Sequence, residues 1–219
     1  MIIADDVNIR QIVRNEIKLL GKTANLNHID VSKVTNFSRL FTDSNFQGDI
    51  SKWDTSSALT MTSMFLRSKF NGDISMWNTS KVGFMRSMFH DSKFNGDISN
   101  WNTAHVIEMD SMFHDSSFNN NISKWNVSNV TSMSYIFYGS KFNGDISRWN
   151  VSGVKHMVSM FVKSDFNGDI SEWKFNKDIV IADDLRNIIE KSYEIRAIKE
   201  SEELIVGMKV GCKNNVHSL

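Results

Sequence analysis

The sequence predicts an α/β repeat fold, a curved solenoid with one short strand and one short helix per 24-residue unit and a helix capping each end. Three observations predict it. All six tryptophans, Trp53, Trp77, Trp101, Trp125, Trp149 and Trp173, recur every 24 residues without an insertion. Two phenylalanine columns keep the same step, Phe46, Phe70, Phe94, Phe118, Phe142 and Phe166, and Phe41, Phe65, Phe89, Phe113, Phe137 and Phe161. Within each unit a period-two apolar pattern gives way to a helical one. The boundaries read as a helical cap over 1–25, a solenoid of about six 24-residue repeats over 26–178, and a cap of strand, helix and loose tail over 179–219.

In chain order, Ile9, Ile12, Val13, Ile17 and Leu20 lie on one face of a first helix, with Asp5 or Asp6 as its cap and Gly21 as its end. A partial unit follows, with Ile29-Asp30-Val31-Ser32 in the place of Trp-Asn-Thr-Ser. In a full unit, Phe70 to Ser75 alternates as a strand does, although Asn71-Gly72 equally suits a tight turn. Val82, Met85, Met88 and Phe89 then take helical spacing, with Ser80 favoured as the cap among Asn78, Thr79 and Ser80. Strands stack about 4.8 Å apart and helices roughly 8–10 Å, so that mismatch would curve the stack. At the far end, Ile179-Val180-Ile181 suits a strand. Asp183 or Asp184 can cap a helix with Leu185, Ile188, Ile189 and Tyr193 inward, and Leu204-Ile205-Val206 suits a last strand before the tail.

The run Phe-Asn-Gly-Asp-Ile-Ser-x-Trp-Asn-Thr-Ser-x-Val-x-x-Met-x-x-Met-Phe resembles the BspA-like leucine-rich-repeat surface proteins, and equally the repeat domain of Mycoplasma lipoproteins. The resemblance covers about residues 26–173. It implies a leucine-rich-repeat-like scaffold for adhesion or protein binding, without catalysis, at a cell surface. Against that location, the start Met1-Ile2-Ile3-Ala4-Asp5-Asp6 lacks the basic and apolar pattern of an export signal, which points to the cytoplasm.

Composition narrows the partner class. The 25 basic and 25 acidic residues cancel, which disfavours nucleic acid as a partner. No run of about 18 apolar residues suggests a membrane span. The lone Cys212 excludes an internal disulfide framework.

Comparing units with one another separates structural columns from free ones. The Trp, Phe, Ile, Val and Met columns read as core, Met61, Met85, Met109, Met133 and Met157 among them. Uniform polar columns, Ser44 to Ser164 and Asn71 to Asn167, read as ties between turns. The Asp column, Asp49, Asp73, Asp97, Asp145 and Asp169 with Asn121 among them, reads as carboxylates bonded to turn amides. Specificity belongs to the variable columns. Before each Trp stand Lys52, Met76, Asn100, Lys124, Arg148 and Glu172. After each Met-Phe or Ile-Phe pair stand Leu66-Arg67, His90-Asp91, His114-Asp115, Tyr138-Gly139 and Val162-Lys163. The candidate binding residues are therefore the six before Trp, together with His90, His114 and Tyr138.

His90-Asp91-Ser92 and His114-Asp115-Ser116 hold the residue types of a hydrolytic triad, but adjacent residues do not converge as nucleophile, base and acid. His90 and His114 with Asp91 and Asp115 would be strained as metal ligands at the roughly 10 Å spacing of stacked helices. No cofactor motif is present, so no catalytic residue, metal ligand or cofactor is assigned. The expected function is a non-enzymatic scaffold for a protein partner, its oligomeric state open. The rivals are a surface adhesin exported without a recognisable signal, and an intracellular inhibitor or decoy encoded by a mobile element or virus.

Overall fold

A computed structural model describes residues 1–179, 181–194 and 196–198. Val180 of the expected 179–181 strand, the Leu204–Val206 segment and Cys212 lie outside the described residues.

The chain opens with a two-residue strand, β1 (Ile2–Ile3), pairing in parallel with β2 (Ile29–Asp30). Between them lies helix α1 (Ile9–Leu20), which buries Ile9 and Val13. Asp5 holds the turn before the helix, its carboxylate accepting the Val7 and Asn8 amides. Asp6 does something else: it accepts the Thr35 and Asn36 amides and the Thr35 hydroxyl, while Arg10 donates to the Ser38 carbonyl. The first helix is thereby fastened to the first turn of the array. Burial opposes the Asp6 charge, but these hydrogen bonds outweigh it and hold its carboxyl below the usual range. At the other end residues 183–194 and 196–198 are helical. Leu185 is buried there, and the Ser192 hydroxyl accepts the Ile170 amide of the last unit.

Between the ends, successive 24-residue segments lie on one another in parallel register. Single-residue bridges join Asn36 to Thr60, Thr60 to Phe84, Phe84 to Glu108, Glu108 to Ser132 and Ser132 to His156. The expected strand over Phe70–Ser75 is not formed, and the bridging position falls instead just before the first Met of each unit. The residues from Phe70 spend their polar groups on turns and side-chain contacts, with Ser75 donating its amide to Asp73 and Asn95 donating to Asn71.

The expected helix over Val82–Phe89 is also absent; those residues form consecutive turns. Alternate amides leave the segment sideways: Met85, Ser87, Phe89 and Asp91 donate to the carbonyls of Glu108, Asp110, Met112 and His114, each 23 residues on. The amides between them close turns on the third residue back, Met88 to Met85, His90 to Ser87 and Ser92 to Phe89. A helix would spend all of these donors internally. The turns need left-handed backbone at two positions per unit, and two columns supply it: Arg39, Ser63, Ser87, Ser111, Tyr135 and Ser159, and Asp43, Arg67, Asp91, Asp115, Gly139 and Lys163. The apolar residues still point inward at helical intervals, which is why the periodicity reads as a helix. With turns in that place, the helix–strand spacing mismatch disappears and gives no reason for curvature.

The core is a set of aromatic ladders. Phe65 and Phe89 stack at 5.6 Å and 1°, Phe70 and Phe94 at 6.3 Å and 2°, and Trp101 and Trp125 at 6.5 Å and 2°. The tryptophans are also tied by polarity. Each indole N–H reaches into the preceding unit, from Trp77 to the Ile50 carbonyl at 3.2 Å and from Trp101 to Ile74 at 3.0 Å. The uniform serines accept within their own unit, Ser92 taking the Phe94 amide at 3.1 Å, and the Ser68 hydroxyl also donates to the Ser44 carbonyl of the preceding unit at 3.4 Å. Their carbonyls make the tie to the next unit, accepting the Lys93 amide at Ser68 and the Ser117 amide at Ser92. The asparagines tie units through their side chains, Asn71 to the Asn95 amide and Asn95 to the Asn119 amide. Glycine follows Asn in most units because the Phe ring lies beneath it: a Cβ at Gly72 would meet Phe70 at 2.8 Å.

Trp101→Ala is expected to cost about 3–5 kcal/mol in denaturant unfolding, through the cavity it opens between units. Trp101→Phe should cost about 1–3 kcal/mol, because the Ile74 carbonyl loses its partner. Met76→Ala, at a side chain 85% exposed, should cost under about 0.5 kcal/mol. The turn geometry at Ser111, where φ is 56°, makes a prediction of opposite sign to a helix. Ser111→Gly should raise the melting temperature and Ser111→Val should lower it, since only glycine adopts this backbone freely; in a helix, glycine would be the destabilising choice.

Candidate functional site

The turns that replace the expected helix put five segments, 59–67, 83–91, 107–115, 131–139 and 155–163, side by side. In each, the inward residues are uniform and the outward ones vary. The bridging column reads Thr60, Phe84, Glu108, Ser132 and His156; the column before it reads Leu59, Gly83, Ile107, Thr131 and Lys155. Two residues beyond the bridge stand Thr62, Arg86, Asp110, Ser134 and Val158. Several are apolar yet exposed, Leu59 at 50%, Phe84 at 43%, Ile107 at 40% and Val158 at 46%, and so is Tyr135 at 39%, three residues beyond its bridge where the other four segments carry serine.

Sequence reasoning missed this strip. Its columns are the unassigned positions of Val-x-x-Met-x-x-Met, which a helix would have spread over a solvent face. Their variation within an otherwise uniform repeat was the available signal.

The strip runs into the predicted column after each Phe. His90 and His114 stack at 4.3 Å with their planes 12° apart, and Tyr138 lies 4.6 Å from His114. Tyr135 links the two groups, its ring centroid 6.4 Å from His114 and 6.1 Å from Tyr138. Lys163 sits 5.8 Å over the Tyr138 ring. His114 Nε2 is 3.2 Å from the Asp115 carboxylate, and its buried Nδ1 has no hydrogen-bond partner. Arg67 binds Asp43 in the preceding unit through two bonds of 2.5 and 2.8 Å. Burial, and then the neighbouring His114, push the His90 pKa down. The predicted residues His90, His114 and Tyr138 are thus brought together, at a spacing that stacked helices would have forbidden. Ser92, third in the triad-like run, is buried with its hydroxyl accepting the Phe94 amide.

The column before each Trp behaves differently. Lys52, Met76, Asn100, Lys124, Arg148 and Glu172 are all exposed. Among the described residues none of them makes a hydrogen bond, ion pair or ring contact with His90, His114 or Tyr138. Arg148 and Glu172 line an open depression of about 660 Å³ with Ser147, Trp149, Asn150, Ser152 and Lys174. Glu172 also pairs with Arg196 of the C-terminal helical segment.

The Asp column is structural. Asp49, Asp73, Asp97, Asp145 and Asp169 each accept the amide of the serine two residues on at 2.9 Å, and Asn121 accepts that of Ser123 in the same way. Hydrogen bonds from the backbone and side chain of the following serine hold the Asp49 and Asp97 carboxyls below the usual range. Asn78 uses the same device on Ser80, so the Asn of Trp-Asn-Thr-Ser makes the turn and Ser80 is not a helix cap.

Two overlapping stretches, residues 8–117 and 92–197, match the family described as Mycoplasma protein of unknown function, DUF285. The chain belongs to this family. The double match makes it a repeat protein of the Mycoplasma type, in line with one half of the resemblance; the BspA-like, leucine-rich-repeat half is not established by it. No curated protein and no solved structure matches the chain. Among the described residues, no helix is long and apolar enough to cross a membrane.

The Asp column carries a pH prediction. A carboxyl whose folded pKa lies below its unfolded value of about 3.9 stabilises the fold above that pH, and the contribution is lost as pH falls through the folded pKa. Asp97→Asn keeps the acceptor, as Asn121 does naturally. It should leave the neutral-pH melting temperature nearly unchanged and make its fall between about pH 4 and pH 2 shallower.

Proposed function

We propose that the chain is a non-enzymatic protein-binding scaffold, a repeat solenoid that presents the outward columns of its stacked segments to a protein partner. One observation carries this reading: five exposed apolar side chains, Leu59, Phe84, Ile107, Tyr135 and Val158, stand on five successive segments whose inward residues scarcely vary. A large apolar residue held in water gains nothing for the fold, and aromatic anchors on a rigid surface are the groups that dominate protein interfaces. The inter-segment hydrogen bonds fix their spacing in advance, which lowers the entropy cost of docking. The absence of net charge favours such an apolar, mixed surface over polyanion recognition.

Two triple variants test the surface, using a partner recovered by crosslinking from separated cytosol and envelope fractions of the native cell. Phe84→Glu, Ile107→Glu and Tyr135→Glu together should weaken that partner at least about ten-fold, the scale of a single anchor worth about 1.4 kcal/mol. Lys52→Ala, Lys124→Ala and Arg148→Ala together should leave its affinity within about two-fold, as for side chains outside an interface. The reverse pattern would move the interface to the column before each Trp, and equal binding by both variants would remove the proposal.

A further inference from the structure

We propose that His90, His114 and Asp115 form a binding site for one divalent first-row transition ion of the zinc, cobalt or nickel class, spanning two neighbouring repeat units. One donor atom from each of the three residues lies within 4.8 Å of the other two. Two imidazoles and a carboxylate are donors that suit this class of ion, whereas calcium and magnesium take oxygen shells. Tetrahedral ligands about 2.0–2.1 Å from an ion stand roughly 3.4 Å apart, so closure requires movements of about an ångström. The exposed Asp115 carboxylate and the two half-buried rings have that freedom.

Three features separate this cluster from a chance meeting of surface groups. Nδ1 of His114 is buried without a partner, so the ring carries a nitrogen whose bonding capacity nothing in the protein meets. Asp115 has room because the next unit carries glycine: a Cβ at Gly139 would lie 1.9 Å from the Asp115 carboxylate oxygen, while the same column elsewhere holds Arg67, Asp91 and Lys163. The nearby cations are occupied, Arg67 with Asp43 and Lys163 over the Tyr138 ring, and Asp91 adds a second negative charge beside His90. The repeat places histidine in this column in two consecutive units only, flanked by Leu66 and Tyr138, so the stoichiometry is one. Three protein donors leave a fourth tetrahedral position open to water or to an outside donor. The site does not depend on the protein-binding reading.

Calorimetric titration of the untagged full chain with zinc chloride tests it, with cobalt(II) absorption as a second readout. One ion per chain is expected, with a tetrahedral cobalt spectrum. His114→Gln and Asp115→Asn should each weaken binding at least about ten-fold, the lower bound for disturbing a metal site's supporting partners. His156→Gln, at an exposed histidine outside the cluster, should leave it unchanged. Asp115 is exposed, so its variant tests the site without endangering the fold. Absence of stoichiometric binding would overturn the proposal. So would binding insensitive to both cluster variants, or an equal loss in His156→Gln, which would mean scattered histidine binding.

Discussion

Every repeat unit depends on one set of bonds, the sideways amides that reach a carbonyl 23 residues further along. Four leave each of the middle segments, as at Met61, Ser63, Phe65 and Arg67, and they fix both the distance and the register between units. An insertion of one residue would bring each amide opposite the wrong carbonyl and each ring opposite the wrong ring. That explains the strict 24-residue step better than packing alone, since apolar cores tolerate changes of shape that a hydrogen-bond ladder does not. The cost is left-handed backbone at eleven non-glycine positions among the described residues, roughly 1–2 kcal/mol each in isolation, which the ladder and the aromatic stacks offset.

The same bonds explain where variation is allowed. Inward positions carry the stacked phenylalanines, the tryptophans with their indole bonds and the methionines between them, and a change there is felt by two units. Serine, asparagine and aspartate columns are committed to amides, and so are no freer than the core. The outward side of the turns carries its ladder mainly on the backbone, with polar side chains such as Asp110, Thr131 and Ser134 adding bonds between segments, so its apolar side chains take no part in those bonds. Leu59, Phe84, Ile107, Tyr135, Val158 and the His90–His114–Tyr138 group occupy that surface.

The two ends solve the exposure of the array by different chemistry. At the start, Asp6 and Arg10 reach from the α1 side to the amides and carbonyl of the first turn, so a charged pair of contacts closes the edge. At the finish, Leu185 and Ser192 of the second helix do the closing, the serine hydroxyl accepting the Ile170 amide of the last unit. The shared Ile-Ala-Asp-Asp run at 3–6 and 181–184 precedes or opens a helix at both ends, but the neighbouring contacts differ.

The sequence by itself determined the repeat length, the repeat columns of the core, the helix at each end and the residues that form turns with aspartate. Those follow from composition at fixed spacing: an aromatic every 24 residues has only an identical neighbour to pack on, and Asp two residues before Ser bonds its amide whatever surrounds it. It misplaced Leu20 and Tyr193, expected inward on the two end helices but 51% and 56% exposed. It did not determine the backbone between Val82 and Phe89, because inward residues at i, i+3, i+6 and i+7 fit a helix and a run of stacked turns equally. Only the tertiary structure decided that, since the choice turns on whether alternate amides find acceptors in a neighbouring unit. From it followed the spacing of the outward face: about 4.8 Å between strand-like segments in place of roughly 10 Å between helices. At that shorter spacing His90 can stack on His114, and each of five successive segments carries an exposed apolar side chain.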